Sequence, residues 1–291
     1  MKAAKRLPIM MYHHVTPNGG MINSTPQNFE SQLQWLKNNG WQSVTTQQVE
    51  EFLAGQPIPA KSVLLTFDDG YLDNWVYAYP LLKKYGFTAV CFLVTSWIQD
   101  GELRPNTLNV TTDFLPECPE HHECERLIEA GRSDDVVLRW NEIQAMRETG
   151  VFEFHSHTHT HTRWDLSKES AHKNERILWE LQTAQAILQT KLGIRSEHFC
   201  WPQGYYDDDY IRIAQKCGYQ YLYTTDAFGF NLPSTPASQL HRFAVRNTRG
   251  RSIGKRLKLA VSPISGSIFN WWKRSKQLRR ARKAAREARS M

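Results

Sequence analysis

Through the first 250 residues, short β-rich apolar runs alternate with segments of helical periodicity, and this alternation limits the fold more than any single motif does. Residues 7–12 form a short apolar run of strand type. Thr25 and Pro26 then make an N-cap and first-turn pair, with Phe29, Leu33 and Leu36 following at helical spacing. Residues 62–67 (SVLLTF) read as a buried strand, 71–85 as a helix stopped by Gly86, and 88–94 as the next strand. Further on, 140–149 reads as a helix, 151–154 as a strand and 167–192 as a long helix ended by Gly193. Runs at 198–201, 219–224 and 240–245 complete the strands. Repeated strand–helix units predict a parallel, barrel-like α/β domain, not a sandwich. Residues 99–135 lack strong periodicity and are expected to form an insertion over one face.

Charge divides the chain in two. Residues 251–291 hold 13 Lys or Arg and one acidic residue, Glu287, out of totals of 36 basic and 29 acidic. The body 1–250 therefore carries 23 basic and 28 acidic residues, about −5, against +12 for the tail. The basic balance belongs to the tail and says nothing about the body. The reading is thus a catalytic domain over 1–250 followed by a basic amphipathic tail over 251–291. No run approaches the ~20 apolar residues of a membrane span. The basic start reaches His13 without a small-residue cleavage site, so no signal peptide is expected and the cytoplasm is the predicted location. Five cysteines at irregular spacing fit reduced thiols better than a disulfide framework.

Three chemistry-bearing signals follow predicted strands directly. Thr66-Phe67-Asp68-Asp69-Gly70 follows SVLLTF, a run of alternating histidines at 155, 157, 159 and 161 follows VFEF, and Tyr12-His13-His14 follows the first run. In α/β barrels, residues after strand C-termini converge on one mouth, so distant segments can build one site. Two neutral imidazoles and a carboxylate suit a divalent metal with open coordination positions. Of two adjacent carboxylates, one can ligate while the other takes a proton from water. Spacing alone permits either His157 with His161 or His155 with His159.

These motifs resemble the polysaccharide deacetylases with the NodB homology domain, carbohydrate esterase family 4, over roughly residues 7–247. The resemblance implies a distorted (β/α) barrel of NodB type with a basic C-terminal helical tail. It implies Asp68 as the base, and Asp69, His157 and His161 as ligands to a divalent metal: zinc, with cobalt or nickel as alternatives. A third family motif, commonly Arg-x-Pro-Tyr-Gly-x-Tyr, resembles Cys200-Trp201-Pro202-Gln203-Gly204-Tyr205-Tyr206. It implies that Trp201, Pro202, Gly204, Tyr205 and Tyr206 line the substrate, with a backbone N–H near Tyr205 or Tyr206 facing the oxyanion. Cys200 stands where the family has an Arg that orients the base, which puts the tuning of Asp68 in question. The opening Tyr12-His13-His14-Val15 resembles the branch acting on poly-N-acetylglucosamine. It implies His13 as general acid, His14 as a substrate contact and the late His241 as the alternative acid.

The activity so implied is hydrolysis of N-acetyl groups on a hexosamine of a bacterial glycan, lipid-linked or of lipopolysaccharide type. The alternative is a glycan- or membrane-binding protein that keeps the fold without the chemistry. Cys118-x-x-His121-His122-x-Cys124 has an unusual spacing for zinc and reads as a polar loop. Asp207, Asp208 and Asp209 read as a helix start. In the tail, Ile264, Ile268, Trp271 or Trp272, Ser275 and Leu278 at helical spacing precede a basic run. Residues 264–289 are therefore expected to lie on an anionic membrane surface at the inner face. No nucleic-acid motif appears, so nucleic acid is not an expected partner.

Overall fold

The computed structural model describes residues 3–20, 22–226 and 230–272, together with Ser275 and Arg279. Its elements in chain order begin with β1 (Ile9–Tyr12), β2 (His14–Val15), β3 (Asn23–Ser24), α1 (Pro26–Asn38), β4 (Gln42–Ser43), α2 (Thr46–Leu53) and β5 (Ser62–Asp69). Next come α3 (Tyr79–Tyr85), β6 (Ala89–Leu93), α4 (His121–Glu129), α5 (Trp140–Glu148) and β7 (Phe152–Ser156). The last are α6 (Lys173–Leu192), β8 (His198–Cys200), α7 (Asp208–Lys216), β9 (Tyr221–Tyr223), β10 (Phe243–Ala244) and α8 (Gly250–Val261).

The strands form one curled parallel sheet in the order β10-β1-β5-β6-β7-β8-β9, with β4 paired to β5. A parallel bridge from Tyr223 to Leu240 brings the far edge of β9 round to the segment that feeds β10. The sheet thereby curls into the distorted (β/α) barrel that the strand–helix alternation predicts. Alternation along each strand divides the core. Met10, Val63, Leu65 and Phe67 pack outward with Phe29, Leu33 and Ile143 of the helices. Ile9, Leu64, Val90, Phe92 and Tyr223 pack inward with Val49 and Phe52 of α2.

Several elements differ from expectation. The helix expected over 71–85 is a π-helical turn, Asn74–Ala78, running into α3; such turns often occur at functional sites. The insertion 99–135 is not wholly irregular, because it contains α4. That helix also corrects the polar-loop reading of the Cys118–Cys124 segment. Both thiols there are buried and face backbone carbonyls of Pro116 and Pro119.

The boundary at 250 is a difference too. Helix α8 buries Ile253, Leu257 and Ala260 against α1. Gly254 packs so closely on Trp35 that a Cβ would lie 2.2 Å from its ring. Residues 251–261 thus sit on the body even though their charge groups them with the tail. Arg6 then holds the following turn, donating to the carbonyl of Ser262 at 2.6 Å and to Ser267 Oγ at 2.9 Å. Apart from Ser275 and Arg279, the tail beyond 272 lies outside the described residues.

Candidate active site

Strand β5 ends in Asp68 and Asp69, and the chain turns at once. Asp69 and Gly70 both take left-handed backbone angles, φ 75° and 77°. A Cβ on residue 70 would also meet Leu93 at 2.9 Å, so the turn against β6 requires glycine. The carboxylates are only 2% and 4% exposed, yet they line a cavity of about 320 Å³ at the strand C-termini.

The loop after β7 brings two histidines to Asp69. His157 Nε2 lies 3.3 Å and His161 Nε2 3.5 Å from Asp69 Oδ1. His157 Nδ1 donates to the carbonyl of Cys200 at 2.8 Å, which fixes the tautomer and leaves Nε2 for the cavity. Thr158 and His161 both have positive φ, 73° and 64°; for a β-branched residue this is strained and must be held by its surroundings. The restraint comes from Glu180 of α6, which is fully buried. It accepts the N–H groups of His159 and Thr160 at 2.7 Å each and Trp164 Nε1–H at 3.1 Å. Thr158 Oγ1 accepts the His161 N–H at 3.0 Å.

This cluster fits a divalent cation. Asp69 Oδ1 is a buried acceptor without a hydrogen-bond donor, a costly arrangement unless a cation faces it. Nearby imidazoles hold the Asp69 carboxyl well below the usual carboxylate range against the opposing effect of burial. Burial takes His161 down to about 4, whereas His157, against its burial, is raised by Cys200 and Asp69; a cation in the cluster would take the place of that proton. A second triple, Asp68, His157 and Cys200, is equally close, but both Asp68 oxygens are already engaged by a guanidinium. Neither histidine of the rival pair approaches Asp69. His155 Nδ1 lies 2.7 Å from Ser196 Oγ, and His159 Nδ1 lies 3.0 Å from Thr95 Oγ1.

That guanidinium belongs to Arg242, which the motifs did not single out. It is fully buried and donates to Asp68 Oδ1 at 2.7 Å and Oδ2 at 2.8 Å. Its Nε donates to the Thr224 carbonyl at 3.0 Å, and its Nη2 lies 2.8 Å from Cys200 Sγ. The position where the family has Arg thus carries a small thiol, and an arginine from the segment before β10 occupies the space beside it. Burial alone would raise the Asp68 carboxyl, but the charge and hydrogen bonds of Arg242 outweigh it and leave the group lowered. The doubt over the tuning of Asp68 is corrected accordingly.

His13, directly after β1, points Nε2 to within 3.8 Å of Asp68 Oδ2 with 17% of its side chain exposed. Asn74 of the π-helical turn donates to the His13 carbonyl at 2.9 Å. Burial lowers the His13 imidazole, although Asp68 and Asp69 pull it the other way.

Other expected substrate contacts lie elsewhere. The side chain of His14 is fully buried against Asp73, so it cannot reach a ligand; the expectation that it touches substrate is corrected. Trp201, Gln203 and Thr225 line the cavity, whereas Pro202 is buried and Gly204 closes the turn behind them. Tyr206 donates to Asp226 at 2.9 Å, and Tyr205 lies under Arg163 at 4.5 Å, so both brace this loop from behind. The Tyr205 N–H already donates to the Pro202 carbonyl and is not available to an oxyanion. His241 sits beside Asn231, to which its N–H donates at 2.9 Å, off the cavity wall.

A curled parallel barrel with paired carboxylates and imidazoles at the strand C-termini carries its site where barrel enzymes carry theirs. A model of the polysaccharide deacetylase family matches residues 55–222, and the chain belongs to that family. It is 27% identical over 266 residues to the polysaccharide-deacetylase-type protein YxkH of Bacillus subtilis, covering 91% of this chain and 75% of that one. It is 29% identical over 205 residues to the poly-β-1,6-N-acetyl-D-glucosamine N-deacetylase of Escherichia coli K12, covering 67% of this chain but only 30% of that longer protein. The fold is shared with the Streptococcus pyogenes deacetylase PplD, solved in complex with acetate. The TM-score is 0.67 at 21% identity, over 87% of this chain and 98% of the other.

Proposed function

We propose that this chain hydrolyses N-acetyl groups on a hexosamine of a bacterial glycan, using a divalent cation held by Asp69, His157 and His161. The single observation that carries the reading is the pair of consecutive carboxylates in opposite environments. Asp68 is saturated by Arg242, whereas Asp69 offers an unsatisfied oxygen to two imidazoles. A cation in that cluster, for which zinc suits the donors and cobalt or nickel would serve, supplies a Lewis acid for the amide carbonyl and a more acidic water.

The chain's own residues do the rest. Asp68, kept ionised by Arg242, takes the proton as water adds to the amide carbon. His13, neutral at rest and 3.8 Å from Asp68, passes that proton to nitrogen as the C–N bond breaks. The products are acetate and a free amine. Trp97 on the wall gives a sugar ring an apolar face to lie against. The test is acetate release from an N-acetylglucosamine oligomer by cation-loaded protein, with Asp68→Asn as control. No release with any of the three metals would end this reading.

The membrane belongs to the same proposal. Ile264, Ile268, Trp271 and Trp272 are 74%, 61%, 71% and 51% exposed and fall at i, i+4, i+7 and i+8, one helical face. The start of that helix is tied to the body through Arg6, and Arg251, Lys255 and Lys258 of α8 are exposed nearby in sequence. An apolar stripe with basic neighbours suits an anionic interface. A lipid-linked glycan at the cytoplasmic face of the inner membrane is therefore the proposed substrate. Among the described residues no helix is long and apolar enough to cross a membrane. Cosedimentation with anionic but not neutral vesicles, lost in Trp271→Ala/Trp272→Ala, checks this part on its own.

A further inference from the structure

Helix α4 closes one side of the cavity with His121, Glu125, Ile128 and Glu129. Its first residue is tied to the body by a chain of polar contacts that the chemistry above does not use. His14 Nε2 lies 3.2 Å from His121 Nδ1, and His14 Nδ1 lies 2.6 Å from Asp73 Oδ2. The other Asp73 oxygen accepts the Val15 N–H at 2.7 Å and Asn74 Nδ2–H at 2.9 Å, so this buried carboxylate cannot swing. The His14 ring stacks on Tyr71 at 3.9 Å. At the outer end, His121 Nε2 lies 3.4 Å from Glu125 Oε1.

A carboxylate oxygen only accepts, so His14 Nδ1 is the donor to Asp73. Tyr71 Oη lies 3.4 Å from His121 Nδ1, so His14 and Tyr71 together hold the His121 ring on its Nδ1 side and leave Nε2 towards Glu125 and the cavity. His122 of α4 also neighbours the ring.

We propose that Asp73 and His14 hold the His121 ring with its Nε2 edge to the cavity, where His121 and the Glu125 carboxylate one turn on read a hydroxyl group of the bound glycan. A sugar hydroxyl both donates and accepts, so an imidazole nitrogen beside a carboxylate meets it in either role. His121 is thus a specificity-determining residue, and Asp73 and His14 are positioning residues acting through it. The inference rests on the glycan-deacetylase reading for the kind of ligand.

The test is titration calorimetry of a β-1,6-linked N-acetylglucosamine tetramer into the non-turnover Asp68→Asn protein. Adding His121→Ala should weaken binding about tenfold, as the loss of one hydrogen bond does. His121→Gln, which keeps an N–H donor, should recover most of it. Asp73→Asn, remote from the wall, should reproduce the alanine loss in protein that melts as a folded domain. In the active enzyme the loss should fall on KM, not on kcat. Unchanged affinity in His121→Ala, a loss confined to kcat, or no binding of the tetramer would overturn the inference. So would full affinity in Asp73→Asn. If Asp73→Asn does not fold, the alanine–glutamine comparison still decides the role of His121. The absence of acetate release from wild type would instead sink the catalytic reading, while the titration still decided His121.

Discussion

The strand side of the cavity and the helix side are built on different terms. Strands β5 and β7 and the end of β8 present Asp68, Asp69, His157 and Trp201, each 4% exposed or less and each held by the ladder or by a buried ion pair. Helix α4 presents His121 and Glu125, with Glu125 51% exposed and only one buried chain of contacts behind it. The strand side keeps charges away from water, where they act most strongly on one another. The helix side is an insertion whose Glu125 stays hydrated, and it can vary without disturbing the barrel. Chemistry is assigned to the first and recognition to the second.

That division can be broken by mutation, and the largest effect should come from the strand side. Asp68→Asn should cost about 10²–10⁴ in acetate release while leaving bound metal unchanged, as measured by turnover and elemental analysis. Arg242→Met should come next, because it leaves the Asp68 charge buried and unpaired. A loss of about 3–5 kcal/mol in denaturant unfolding is expected. The acid limb of the pH–rate profile should also move. Arg242 holds the Asp68 carboxyl low, so wild-type activity should persist until pH falls through that low value. Without the guanidinium, burial dominates, the pKa rises, and activity should fail at a higher pH.

Glu180→Gln addresses the support of the metal loop and should weaken metal affinity about 10–100-fold, read by competition with a chelating dye. The smallest effect should lie on the helix side. Glu129→Ala, at an exposed position, should change stability by less than about 0.5 kcal/mol. A large loss of stability there would erase the distinction between the two sides.

The strand side was largely legible in the sequence and the helix side was not, for physical reasons. Asp68-Asp69-Gly70 follows a continuous apolar strand, and Gly70 marks a turn that only glycine makes. Such signals are local. The choice between the histidine pairs needed tertiary information: β7 points His155 to Ser196, and the strained turn at Thr158 aims His157 and His161 at Asp69. Arg242 was missed because it stands in for the family Arg in space, beside Cys200, and not in sequence. The missing family Arg was the one signal that should have prompted a search for another. Glu180 gave no local sign either, because it lies mid-helix among apolar residues and its partners come from a loop about twenty residues earlier. Residues 118–124 read as a metal motif or a loop, yet 121–124 open a helix that buries Cys124 and turns His121 to the cavity.

The central claim is tested most directly by the metal content of purified protein, measured by mass spectrometry after loading with zinc. The account predicts close to one equivalent in wild type, retained in His159→Ala and Cys200→Ser and lost in Asp69→Ala and His161→Ala. Metal retained without Asp69, or lost with Cys200→Ser, would contradict it and move the ion to Asp68, His157 and Cys200.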